Sequence, residues 1–239
     1  MISFKTGASS EYINDFCRVF GDDEEFVCSV ILCANEVFEI YEDNSFLGGL
    51  CVLDVSIKSG YSIKNGAYIY GAFICESARG RGLFKQLCEY VFEFYQNEFY
   101  DFALTIPASH DLFPLYERLG FKTAIEGCVS ILGEACGVIL PKEVTIIDFD
   151  DDFNLLYFLH IENDMLIKDF DLFKHTVADF EIKYIEFNGA RGYALLKDDM
   201  IIYASGSFVE YKTSKKGLLL PFGEKICTEG ALCDILFEI

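Results

Sequence analysis

Arg79-Gly80-Arg81-Gly82 stands between an extended apolar run, residues 67–75, and a stretch of helical periodicity that starts at Leu83. A strand that feeds a glycine-containing turn and then a helix is a ready anion site. The first helical turn has N–H groups without intrahelical acceptors, and the positive end of the helix dipole lies there. Gly80 and Gly82 carry no Cβ, so the backbone can take turn geometry and come close to a phosphate. Arg79, Arg81 and Lys85 add positive charge. A plain helix start uses the same glycines, so the turn by itself leaves both readings open. It does exclude a phosphate-loop NTPase, because no Lys-Ser/Thr follows the glycines.

The neighbouring segments must position that turn. Phe84, Leu87, Cys88, Val91, Phe92 and Tyr95 recur as one helical stripe and read as core, while Lys85, Gln86, Glu89 and Glu93 take the other face. Residues 102–106 form the next strand, closed by Pro107. Ser109 or Asp111 caps a short helix that admits Pro114 in its first turn, with Leu112, Leu115 and Leu119 inward. Gly120 suits a left-handed cap before a strand at 121–125. Upstream, Ser9 and Ser10 open a helix over 10–20 that Gly21 stops, and Asp22 to Glu25 load the first turn of a second helix with favourable charge. The same acidic run could instead contact a substrate amine. Strands 37–41 and 46–52 join through a turn at 42–45, and a polar loop, 59–66, leads into the central strand.

Downstream of Leu140-Pro141-Lys142, helices at 152–160 and 169–180 precede strands at 182–187, 193–196 and 200–206, with a last apolar strand at 231–237. Residues 193–206 echo 38–51: strand, a turn carrying Asp198-Asp199 in place of Asp43-Asn44, then strand. Two helices precede both hairpins, a weak internal repeat.

At 239 residues, 52% of them apolar, the chain can bury a sizeable core as one large domain or two small ones. No apolar run has the length of a membrane span, and the polar start (Lys5, Ser9, Ser10, Glu11) is no signal peptide, so a cytoplasmic protein is expected. Ten scattered cysteines with no Cys-x-x-Cys and no histidine at ligand spacing read as reduced thiols rather than a disulfide frame or a metal site. A formal charge of −20 argues against nucleic acid or anionic membrane as a partner. It suits a cationic amine drawn by the acidic field, or serves only to keep an aromatic-rich chain in solution.

The order strand, Arg-x-x-Gly-x-x, helix, strand, helix, Tyr-x-x-x-Gly-Phe (Tyr116 to Phe121) resembles the acetyl-CoA core of the GNAT N-acetyltransferase superfamily. The Gly82-Leu83-Phe84 form of the turn is similar to the branch of aminoglycoside-acetylating Eis-like enzymes; the commoner form ends in a small residue, which here is Phe84. The resemblance implies an α/β (α+β mixed sheet) fold: a GNAT fold with a central, strongly twisted mixed sheet flanked by helices. A second, partial GNAT-like domain would follow, as in tandem members. The domains would be 1–139, catalytic, and 140–239. No second Arg-x-x-Gly turn is present, so the second domain would shape the acceptor cleft or a homodimer interface.

By the same resemblance the chain would be an N-acetyltransferase with acetyl-CoA as cosubstrate and no metal. It would act on a primary amine: a small molecule, an aminoglycoside-like compound or a peptide amine. Backbone groups of Ala72, Phe73 and Ile74 would pair with the pantetheine arm. Gly80, Arg81, Gly82, Leu83, Phe84 and Lys85 would wrap the pyrophosphate, with Arg79 matching the family's leading Arg or Gln. Tyr116 would be the general acid to the departing thiolate. Glu76, just past the strand end, is a candidate base, or merely a partner of Arg79 or Arg81. Ser109 stands where many relatives have Asn. The rival reading is a non-catalytic acyl-CoA-binding module.

Overall fold

The computed structural model describes residues 1–59, 61–127, 138–164, 166–207, 209–211 and 215–223. Two compact units pack separately. The first comprises Met1–Val55, Lys64–Lys122 and Leu218–Ile226; the second comprises Ser56–Ile63, Thr123–Gly217 and Cys227–Ile239. The strand proposed for 231–237 lies outside the described residues.

The first unit opens with β1 (Ile2–Thr6), α1 (Ser10–Phe20), α2 (Glu24–Cys33), β2 (Glu36–Glu42), β3 (Ser45–Ser59) and β4 (Ser62–Ile74). Each helix starts where the sequence supplies an oxygen. The Ser9 hydroxyl accepts the Tyr12 N–H at 3.1 Å, and Asp23 Oδ1 accepts that of Phe26 at 2.8 Å. Gly21 ends α1 in the left-handed region, at φ 85°. Asp43 and Asn44 both hold positive φ, 49° and 69°, the geometry that matches a two-residue turn to the twist of the β2–β3 hairpin. The segment 59–66, expected as a loop, is instead the end of β3, the tip and the start of β4. It is polar because this stretch of hairpin is largely exposed, not because it is irregular.

Next come α3 (Leu83–Asn97), β5 (Phe102–Thr105), α4 (Phe113–Glu117) and β6 (Lys122–Gly127). The sheet order is β1-β2-β3-β4-β5-β14-β6, where β14 is Lys215–Pro221 near the far end of the chain. β4 and β5 are parallel, whereas β14 lies antiparallel on β5, with Leu218 opposite Thr105 and Pro221 opposite Phe102. The first sheet is therefore completed by residues beyond 139, and the chain leaves this unit near Lys122 and re-enters it at Leu218.

Leu83, Leu87, Cys88, Val91, Phe92 and Tyr95 of α3 are buried against Phe38, Leu50, Val52, Ala67, Ile69 and Ala103 of the sheet. The stripe is the expected one except at its start: Leu83 takes the buried place and Phe84 is half-buried beside it.

In the second unit, β8 (Thr145–Asp148), α5 (Phe153–Asn163), β9 (Leu166–Lys168), α6 (Phe170–Val177), β10 (Glu181–Phe187), β11 (Ala190–Lys197) and β12 (Met200–Ser205) follow β7 (Val138–Ile139). Four of these strands form an antiparallel sheet in the order β12-β11-β10-β8. Setting aside short β9, the succession strand, two helices, three strands and the order within the sheet are those of β1 to β4. The turns repeat too: Asp198 and Asp199 hold positive φ, 53° and 63°.

Candidate active site

The parallel pairing of β4 with β5 runs from Gly66 opposite Phe102 to Tyr68 opposite Leu104. One further link, Thr105 Oγ1 to the Ile69 carbonyl at 3.2 Å, closes it, and β5 ends while β4 runs on to Ile74. The two strands part there. Backbone groups of successive strand residues point to opposite sides. The Cys75 N–H donates to the Leu47 carbonyl on β3 at 2.8 Å. Alternation therefore turns Phe73 toward β3, and turns Ala72 and Ile74 toward the side on which β5 lies. Close approach of the Phe73 carbonyl to Gly48, where a Cβ would come within 2.3 Å of it, agrees.

Gly71 interrupts the regular pleat just before this open edge, at φ 55°. Only a glycine fits: a Cβ there would meet the Phe16 ring at 2.0 Å. The Gly71 carbonyl accepts the Tyr12 hydroxyl at 3.4 Å, so α1 seats on the kink.

Past β4, a 3-10 turn (Glu76–Ala78) leads to Arg79, and then Gly80 and Gly82 both adopt left-handed backbone, φ 76°. The first bond of α3 is Gln86 N–H to the Gly82 carbonyl at 3.2 Å, and no side chain caps the helix. Among the described residues, the N–H groups of Gly80 and of Gly82 to Lys85 have no acceptor, while that of Arg81 closes a turn back toward the 3-10 segment. A Cβ on Gly80 or Gly82 would meet nothing within 4 Å, so the glycines serve the backbone geometry and leave the approach clear. Consecutive amides turned inward around left-handed residues at a helix N-terminus are a concave donor set for phosphate oxygens.

The cations of the turn each have a contact. Arg79 Nε donates to the Ile74 carbonyl at 3.1 Å, Arg81 Nη2 meets Glu42 Oε1 at 2.6 Å, and Lys85 lies 3.5 Å from Glu89 Oε1. Glu76 is exposed and, among the described residues, makes no ion pair; Arg81 has a different carboxylate.

Tyr116, on α4, is buried, with its ring edge-on to Phe84 and to Phe121, centroids 5.6 Å apart in each case. Burial pushes its hydroxyl well above the usual tyrosine range; Cys88 adds to the shift and a hydrogen bond with Thr105 opposes it. Thr105 thus lies beside the Tyr116 hydroxyl, at the place where β5 leaves β4. α4 is entered through the 3-10 turn His110–Leu112, whose Leu112 N–H donates to the Ser109 carbonyl at 3.1 Å; the helix N-cap is Leu112, with no side-chain cap, in place of the expected Ser109 or Asp111 side chain. The His110 side chain lies outside what is described.

The sequence reading missed the supports: Gly71 under Phe16, Thr105 under Tyr116, Glu42 on Arg81, and Asp15 on Cys75. The Cys75 thiol donates to Asp15 Oδ2 at 3.1 Å, and Asp15 also pairs with Arg18 at 2.9 Å. Burial, with the Asp15 bond behind it, holds that thiol up at about 11. These are contacts between distant segments, and only the glycine at 71 left a trace in the sequence.

This frame is that of known acetyltransferases. Residues 34–129 match the family model of the acetyltransferase (GNAT) domain. In fold, the chain is similar to a probable N-acyltransferase, a conserved protein of unknown function from Enterococcus faecalis. The TM-score is 0.66 at 9% identity, over 92% of this chain and 72% of that one. It is similar to a GCN5-related N-acetyltransferase from Kribbella flavida, with TM-score 0.64 and 12% identity over 91% of this chain and 71% of that one. Eis1 from Mycobacterium abscessus gives a TM-score of 0.59 at 11% identity over 83% of this chain, which spans 54% of Eis1. No curated protein matches the sequence. Residues 34–129 thus carry a GNAT acetyltransferase domain, and the chain has the fold of the GNAT acetyltransferase structures it resembles. Among the described residues no helix is long and apolar enough to cross a membrane, and no His, Cys, Asp and Glu cluster could hold a metal ion.

Proposed function

We propose that the chain transfers the acetyl group of acetyl-CoA to a primary amine by direct attack, with the turn after β4 as the cofactor site. The observation that carries this reading is the set of unpaired amides of Gly80 and of Gly82 to Lys85, beyond the strand edge that β5 abandons. Those residues fit the cofactor: amide donors for a pyrophosphate, Arg79, Arg81 and Lys85 for charge, and the outward backbone groups of Ala72 and Ile74 for an extended amide-bearing arm. Phe73 would contribute its ring to the α1 face rather than its backbone.

Acetyl-CoA supplies the thioester that the amine attacks. In this reading Ala72 N–H, aimed by the Gly71 kink, holds the developing oxyanion. Tyr116, kept protonated by its burial, gives its proton to the departing sulfur and draws on the Thr105 hydroxyl in return. Glu76 takes the ammonium proton from the solvent side. Cys75 is no acyl carrier, because a thiol held at about 11 has little thiolate to offer near neutral pH. The second unit, which repeats the opening of the GNAT order, would complete the acceptor side or a homodimer. The acidic surface favours a cationic acceptor, a small molecule or a peptide amine.

Calorimetric titration with acetyl-CoA and CoA, followed by thiol-release assays over a panel of amines, tests the reading. Micromolar binding abolished by Gly82→Glu is expected, since a carboxylate there opposes the phosphates. In Tyr116→Phe, turnover should fall by about 10²-fold while CoA affinity stays within about twofold. Unchanged turnover removes the acid role. Binding without turnover on any amine would favour an acyl-CoA-binding module, and no binding would leave the turn a mere helix start.

A further inference from the structure

Arg81 is placed oddly for a residue of an anion cradle. It sits between two left-handed glycines at the start of α3, yet its guanidinium is spent on a carboxylate of a distant strand, Glu42 Oε1, at 2.6 Å. The other cations of the turn stay local: Arg79 braces the carbonyl of Ile74, and Lys85 leans toward Glu89 one turn along its own helix. Glu42 is also firmly held. It is the last residue of β2, opposite Ile2 of β1 and Ser45 of β3, and its neighbour Asp43 holds the N-terminal ammonium of Met1.

We propose that Glu42 is a built-in competitor for the cofactor's phosphates: it parks Arg81 on the β2–β3 hairpin and yields it when CoA binds, so that Glu42 sets how tightly CoA is held. This rests on the turn being the CoA site. The exchange is favourable in principle. The pair is 43% and 37% exposed, so it is weak in water, whereas a pyrophosphate or phosphate monoester offers more charge and oxygens spaced for a guanidinium fork. Gly80 and Gly82 flank Arg81 and let the side chain swing without straining a neighbour. Until it swings, the Glu42 carboxylate stands beside the cradle and opposes any polyanion that enters it, a repulsion screened only over about 10 Å at ordinary salt. Affinity for CoA is thereby kept below what the amides and the three cations could give, which suits an enzyme that must release CoA after each turnover.

The test is the dissociation constant of CoA, by calorimetry at low salt, for wild type, Glu42→Gln, Arg81→Gln and the double variant. Glu42→Gln is expected to bind about 3- to 10-fold more tightly, the span that weak exposed pairs and their repulsion allow. Arg81→Gln should bind more weakly, and in that background Glu42→Gln should recover less than half of its effect. Both side chains reach solvent, so folding should survive; equal thermal midpoints check it, and Glu42→Ser stands in if the glutamine variant fails. Glu42→Gln binding no better than wild type overturns the proposal while leaving the site in place. So does equal tightening with and without Arg81, which would mean repulsion alone. Absence of CoA binding in the wild type removes the site and the proposal together.

Discussion

Gly82→Ala separates backbone geometry from contact. Gly82 holds φ 76°, where an L-residue is strained, but its missing Cβ faces open space, so strain is the whole cost: about 1–2 kcal/mol. That strain has two places to appear. If the alanine stays left-handed, stability falls by the full amount and the midpoint drops by about 2–8 °C for a chain of this size, with CoA affinity kept. If the alanine relaxes to negative φ, stability is spared, but CoA must drive it back to recover the amide cradle, and affinity falls about 5- to 30-fold. The stability loss and the binding loss should therefore sum to about 1–2 kcal/mol. Gly71→Ala is the contrast. Its φ of 55° costs the same strain, and its Cβ would lie 2.0 Å from the Phe16 ring, so overpacking adds about 1–3 kcal/mol, for about 2–5 kcal/mol in all. Thermal unfolding and CoA calorimetry on both variants give all four numbers. A Gly82→Ala protein unchanged in both would refute the left-handed turn as a requirement. A loss of affinity beyond about 100-fold would also refute this reasoning, because it exceeds the strain available.

Alkaline stability and the origin of the first sheet give two more tests. Burial holds Cys75 at about 11 and Cys51 at about 12, against an ordinary 9.0, so the folded chain keeps protons that the unfolded chain releases. Their contribution is fully present below about pH 9 and is lost as pH rises through 11 to 12; the urea midpoint should fall over that window, and less steeply in Cys51→Ala. A midpoint flat to pH 11 would contradict it. A chain ending at residue 139 lacks β14 and strips buried Leu218 and Leu219 from the edge of β5, so it should show no cooperative thermal transition; a sharp one would sink the assignment of β14 to this sheet.

What the sequence disclosed was local. The Arg79–Gly82 turn, the α3 stripe and the two helix caps are written in neighbouring residues, because capping and left-handed turns are settled within a few positions. The parting of β4 and β5 could be anticipated from element order but not located, since it depends on where β5 stops, and Pro107 marks that place only within a few residues. β14 was invisible: Leu218-Leu219-Leu220 is too short a run to announce a strand, and its partner lies over a hundred residues earlier. β1 escaped for the opposite reason, being an edge strand with only half-buried Ile2 and Phe4 inward. The Glu42–Arg81 and Asp15–Cys75 contacts are purely tertiary, with no spacing that could reveal them.

The same topology gives opposite chemistry at the ends of β4 and β12. β4 leads into a turn with amides that have no acceptor among the described residues. β12 ends at buried Ser205, whose hydroxyl donates to Asp164. Tyr193 and Tyr203 donate to the same carboxylate, at 2.8 and 2.9 Å. The Lys168 N–H is bonded to His160 Nε2 at 3.1 Å, so that nitrogen carries the lone pair and Nδ1–H is left to donate to Asp164 as well. Four donors fill the four lone-pair positions of a fixed negative charge. A strand end of that kind carries a carboxylate that repels an anion. Repeating the strand order in the second unit therefore does not repeat the candidate phosphate site, and the polar groups there hold α5 to β11 and β12 instead. Charge and hydrogen-bond saturation, rather than the succession of elements, set the two strand ends apart.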